Sequence, residues 1–148
     1  MAVGERLDST QRRRDEMDNT ISYLNTDLDV ASADDLTGIA MVFESAGVKA
    51  LHVTYCEDGL WRAIFETKEQ HSEPEASISV MASAIESLVD PLKVVWSRCN
   101  LREFNIGYDC GEDPWEFNQG LSNALLLRIA TAGTSVRITL YPDRAETA

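Results

Sequence analysis

The stretch Leu51-His-Val-Thr-Tyr-Cys-Glu-Asp-Gly-Leu-Trp-Arg-Ala-Ile-Phe-Glu-Thr67 sets two runs of β-branched and aromatic residues around Glu57-Asp-Gly-Leu60. An Asp-Gly pair between such runs is a strong hairpin signal, because a tight turn needs residues that accept positive φ. Read as a two-residue turn, it sets Glu57 opposite Leu60. Cys56 then faces Trp61, Thr54 faces Ala63 and His52 faces Phe65 on one side of the sheet, with Leu51, Val53, Tyr55, Arg62 and Ile64 on the other.

The flanks of this hairpin decide what it packs against. Upstream, residues 21–30 alternate, with Ser22, Leu24, Thr26, Leu28 and Val30 on one side and Tyr23, Asn25, Asp27 and Asp29 on the other, the period of a strand with one polar face. Ser32-Ala-Asp-Asp35 is a capping sequence, and Leu36, Ile39, Ala40 and Phe43 follow at helical spacing as far as Gly47. Downstream, Ser72-Glu-Pro-Glu75 predicts a helix start with Ser at the cap, and Ala76, Val80, Met81, Ile85 and Leu88 supply its apolar stripe. Asp90-Pro91 interrupts it, and residues 92–96 form a further short helical segment. Residues 101–108 read as a strand with Phe104, Ile106 and Tyr108 on one face. Residues 115–131 read as a helix stopped by Ala132-Gly133, and Val136, Ile138 and Leu140 alternate in a last strand.

Strand, helix, strand, strand, helix, strand is the order of a ferredoxin-like, split βαβ, antiparallel sheet in an α+β domain. The final helix and strand extend that sheet beside the fourth strand by a right-handed crossover. Residues 4–20 are nearly all polar, with Gln11-Arg-Arg-Arg14 running into Asp15-Glu16, and a flexible or frayed N-terminal arm is expected over 1–20. Residues 21–142 are expected to form a single domain, and 143–148 a disordered tail.

Thirteen Lys and Arg against twenty-five Asp and Glu leave a net charge of -12 over 148 residues. That field repels nucleic acid and anionic membrane surfaces and favours a cationic partner. The opening residues lack the apolar core of a signal peptide, and no apolar run is long enough to span a bilayer, so a cytoplasmic location is expected. Three cysteines, Cys56, Cys99 and Cys110, have no paired spacing and fit free thiols in a reducing compartment of bacterial type.

The densest concentration of glycines, acids, amides and aromatics lies at 105–123. Asp113-Pro-Trp-Glu116 reads as a helix opening with Asp as cap and Pro first in the helix, so Glu112, Asp113 and Glu116 occupy the positive end of the dipole and exclude a phosphate. Asp109, Glu112 and Asp113, with Asp27 or Asp29, are close enough to be weighed as a metal site. Their spacing is not that of a calcium loop and no paired histidine accompanies them, so no metal or cofactor is assigned. A nucleophilic Cys56 or Cys110 would need His52 as base. His52 and Cys56 share a strand face but stand roughly 13 Å apart along it, so no catalytic residue is assigned. On a helix from Trp115, Asn118 and Ser122 fall inside the apolar sector with Phe117, Leu121, Leu125 and Ile129. Two inward polar residues one turn apart either bond the preceding loop or border a pocket with Tyr108.

These residues point to a non-enzymatic, acidic, cytosolic protein-binding domain that contacts a basic protein, and no nucleic acid or membrane, through Tyr108, Asp109, Glu112, Asp113, Trp115, Asn118 and Ser122. In size and charge it resembles immunity or antitoxin-type inhibitors. The alternative is a small-molecule binder or cysteine-dependent enzyme using the same 105–123 region.

Overall fold

A computed structural model describes residues 19–142. The tail at 143–148 and all but the last two residues of the expected N-terminal arm lie outside the described residues. Within them the architecture is mixed α+β, with four helices and a five-stranded sheet. The strands are β1 (Ser22–Ser32), β2 (Val48–Tyr55), β3 (Trp61–Thr67), β4 (Leu101–Asp109) and β5 (Ser135–Tyr141), and the helices are α1 (Thr37–Ser45), α2 (Pro74–Glu86), α3 (Leu92–Ser97) and α4 (Asn123–Thr131). The sheet order is β2-β3-β1-β4-β5. β1 is antiparallel to β3 and β4, β2 is antiparallel to β3, and β5 runs parallel to β4.

One sheet face carries the core. Leu28 and Val30 of β1 stand beside Phe65 and Ala63 of β3 and Phe104 of β4, and meet Ile39 and Phe43 of α1 and Ile78, Met81 and Ile85 of α2. Each large side chain removed from water here contributes about 1.5–3 kcal/mol before entropy is charged. Trp96 of α3 completes the layer. Its ring lies 6.1 Å from that of Phe43, and its indole N–H donates to the Ala132 carbonyl at 2.9 Å. Arg102 bonds the Trp96 carbonyl at 2.6 Å and the Gly133 carbonyl at 2.8 Å. α3, the end of α4 and the start of β4 are therefore joined by side chains.

The hairpin forms, but its turn holds three residues. Cys56 N–H donates to the Leu60 carbonyl at 2.8 Å and Gly59 N–H to Cys56 at 3.1 Å, with Gly59 at φ +86°. This loop places glycine in the left-handed position after Glu57-Asp58, and the Asp58 carboxylate accepts from Leu60 N–H at 3.1 Å. Every expected pair slips by one: Tyr55 faces Trp61, Thr54 faces Arg62 and Val53 faces Ala63. Because side chains alternate, Val53 turns to the helix face and Thr54 to the other. A bulge between Ala50 and His52 absorbs Leu51.

Two further expectations are corrected. A register shift between Tyr23 and Asn25 leaves Leu24 unpaired with β4 and turns Tyr23 out of the polar row of β1. The Tyr23 hydroxyl instead donates to Ser77 of α2 at 3.0 Å and lies 2.7 Å from the Thr26 hydroxyl. Glu73, with no side-chain cap bond, takes the position before α2 that Ser72 was expected to fill, and Pro74 opens the helix. The other sheet face carries half-buried Asp27, Asp29, Glu66 and Glu103. Lys49 pairs with Glu66 at 3.1 Å and Arg137 with Glu103 at 2.6 Å.

Candidate functional site

The 105–123 stretch begins as β4 and leaves the sheet at Cys110, whose N–H donates to the Tyr141 carbonyl at 2.9 Å. Glu112 and Asp113 N–H groups both donate to the Asn19 carbonyl, at 3.0 and 3.1 Å, and Asp113 accepts from Ile21 N–H at 2.7 Å. A lone parallel bridge joins Thr20 to Asp113. The chain before β1 thus clasps the exit of β4.

The helix expected from Trp115 does not form until Asn123. Asn118 and Gly120 both disfavour a continuous helix, and Asp113 spends its backbone on Ile21 and Asn19 rather than on a cap. Ser122 is the cap of α4 instead. Its hydroxyl accepts from Leu125 N–H at 3.1 Å, and its own N–H donates to the Glu75 carboxylate of α2 at 2.6 Å. Neither Asn118 nor Ser122 points into a core: both are exposed, and Asn118 donates to Glu116 at 3.1 Å. The loop is consequently anchored at one end by Asn19 and Ile21 and at the other by Glu75, with 114–121 between.

Tyr108 and Trp115, both expected on the contact surface, part company. Tyr108 is buried, with its ring 5.9 Å from Tyr23 and 5.6 Å from Phe117. Burial first, and then the neighbouring Tyr23, push its phenol above the ordinary tyrosine value. Trp115 is 97% exposed. Glu112, Asp113, Glu116 and Asn118 are exposed around it, while Asp109 is half-buried. Beside Tyr108 a cleft of about 330 Å³ is lined by Ile21, Cys110, Phe117, Ile138 and Leu140 among others. Cys110 faces this cleft, whereas His52 is on β2, three strand spacings or roughly 14 Å from β4. The two cannot form a nucleophile–base pair. Among the described residues no cluster of three or more His, Cys, Asp or Glu is placed to hold a metal ion.

Asn19, Ile21 and Glu75 escaped sequence reasoning although they hold the loop. Gly111 was the available signal for the first two. A Cβ there would come within 2.6 Å of the Asn19 carbonyl carbon, a close approach that only glycine permits. Nothing in the sequence tied Glu75 to Ser122.

The acids on the open face of the sheet behave differently from those of the loop. Burial, then Asp29 and Glu66, push the Asp27 carboxyl up to about 6, with the Asn25 amide at 2.9 Å opposing them. Asp29 is raised by burial and Glu103 and held back by Arg137 and His52. A folded-state value above the ordinary 3.8 means that the folded chain holds the Asp27 proton more tightly. Its contribution is therefore full below pH 3.8 and is lost as pH rises through about 6. Asp27→Asn is expected to raise stability by about 1 kcal/mol at pH 7.5, a figure discounted for partial exposure, and to be nearly neutral near pH 4. Urea midpoints across that range measure it; a gain independent of pH would contradict the account.

No family model, curated protein or solved structure matches the chain. No helix among the described residues is long and apolar enough to cross a membrane.

Proposed function

We propose that this chain is a non-enzymatic protein-binding domain, acting in a reducing, cytoplasmic setting, whose loop at 110–122 receives a basic protein in the manner of an immunity or antitoxin-type inhibitor. The observation that carries the reading is Trp115, 97% exposed and flanked by exposed Glu112, Asp113 and Glu116 on a loop held at both ends. A tryptophan offers about 150–250 Å² of contact area. Held by a pre-anchored loop, it can be buried by a partner at lower ordering cost. The carboxylates around it steer and orient a cationic surface. The loop contains no Lys or Arg to oppose such a partner.

The ferredoxin-like reading of the scaffold belongs to the same proposal. The order β2-β3-β1-β4 with antiparallel neighbours throughout supports a split βαβ core, to which α4 and parallel β5 add an edge. The fold itself assigns no function.

Affinity capture from a lysate of the source organism, followed by mass spectrometry and titration of the recovered protein, tests the reading. The wild type is expected to retain a basic protein. Trp115→Ala and, separately, combined charge reversal of Glu112, Asp113 and Glu116 are each expected to weaken it at least about tenfold. Equal capture by folded variants sinks the proposal. The competing small-molecule reading rests on the cleft beside Tyr108 and Cys110 and gains ground if a ligand copurifies and protects Cys110 from thiol reagents.

A further inference from the structure

The two edges of the sheet are built differently. β2 is blunted by the bulge between Ala50 and His52 and carries Lys49, devices that discourage strand addition. β5 pairs with β4 from Ser135 to Tyr141 without a register shift, and contains no proline and no lysine. Its other edge meets no described strand. Tyr141 directs its carbonyl at Cys110, so the alternate residues Val136, Ile138 and Leu140 direct their backbone N–H and C=O groups outward. Their side chains share the helix face with Phe104, Ile106 and Tyr108. They are nevertheless 39%, 63% and 62% exposed.

We infer that β5 pairs antiparallel with β5 of a second copy of this chain, about a two-fold axis at Ile138, to form a continuous ten-stranded sheet. The strand is self-complementary in that register. Ile138 meets Ile138 and Val136 meets Leu140 in hydrogen-bonded pairs, forming one apolar row on the helix face. On the opposite face Ser135 meets Tyr141 and Arg137 meets Thr139, so no like charges stand directly opposite. Arg137 is already paired with Glu103 of its own chain. A basic partner is the less suited occupant, because β5 contains no carboxylate; the acids lie on the loop and on the open face. The bulged β2 edge stops the assembly at two. The loops carrying Trp115 fall at opposite ends of the new ribbon, so the pairing leaves them available.

Light scattering during size exclusion at micromolar protein tests the pairing. The expected mass is that of two 16.4 kDa chains. Added salt is expected to strengthen the association, because each copy carries a net charge of -12 while the pairing strip is apolar. Ile138→Glu sets two carboxylates face to face and is expected to weaken dimerisation about a hundredfold or more, whereas Leu51→Glu on β2 leaves the two-chain mass unchanged. Should Ile138→Glu fail to fold, hydrogen exchange on the wild type decides: the Val136, Ile138 and Leu140 amides are expected to be protected at high concentration and to exchange faster on dilution. A wild-type mass of one chain or of more than two, a folded Ile138→Glu that stays a dimer, or exchange independent of concentration overturns the inference.

Discussion

Replacing Trp96 by alanine is expected to lower the free energy of unfolding by about 3–5 kcal/mol. The side chain is 6% exposed, packs against Phe43, and donates to the carbonyl of Ala132 just past α4. Truncation opens a cavity under α1 and also takes a partner from a carbonyl at the end of α4. A domain of this size commonly has 5–15 kcal/mol in all, so the variant would be folded but marginal. Trp96→Phe separates the two contributions. It keeps much of the packing and loses the indole N–H, so a cost of about 1–2 kcal/mol is expected from the lost bond and the smaller ring. Urea denaturation of the two variants checks both values. Equal costs would place the whole effect in the hydrogen bond and remove the packing argument.

Gly111→Ala is expected to cost about 3 kcal/mol, at the upper end for an overpacked site. The added Cβ would lie within 2.6 Å of the Asn19 carbonyl carbon and 2.9 Å of that of Thr20. Both are backbone atoms that no side-chain rotation can clear. The clasp must open, and the amides of Ile21, Glu112 and Asp113, which now donate across it, are expected to exchange with solvent much faster than in the wild type. Gly120→Ala, in the same loop but with open space around it, is the control and should stay within about 0.5 kcal/mol of the wild type. If both variants behave alike, the clasp between residues 19–21 and 111–113 does not hold the loop.

Much of the element order was legible, because periodicity survives without tertiary context. Leu36 at the cap of α1, and Ile39 and Phe43 within it, are buried as their spacing predicts, and Phe104, Ile106 and Tyr108 are buried along β4. What failed were decisions worth one residue or one turn. Asp58-Gly59 marks a turn whether the loop holds two residues or three, and only the hydrogen bond from Cys56 to Leu60 selects the longer one. That single step exchanged the faces of Val53 and Thr54. The bulge at Leu24 likewise arises from pairing with β4, far away in the sequence, and moved Tyr23 into contact with Ser77.

In the loop, the apolar periodicity of Phe117, Leu121, Leu125 and Ile129 imitated one helix. Local breakers and the competing bonds from Asn19 and Ile21 confined it to the second half. The reading of Asn118 and Ser122 as inward polar residues fell with that helix.

The central position of β1 has a consequence in time. This strand is synthesised first among the five, yet its second neighbour, β4, ends only at Asp109. At a synthesis rate of about 5–20 residues per second, the stretch from Thr67 to Asp109 takes about 2–8 seconds, an interval in which Leu28 and Val30 can be paired on one side only. During that interval β3 can cover one side of β1, while the other presents open backbone groups. The hairpin of β2 and β3, with α1 and α2 behind it, is thus the piece that can shelter the nascent strand first, and closure by β4 is what commits the sheet.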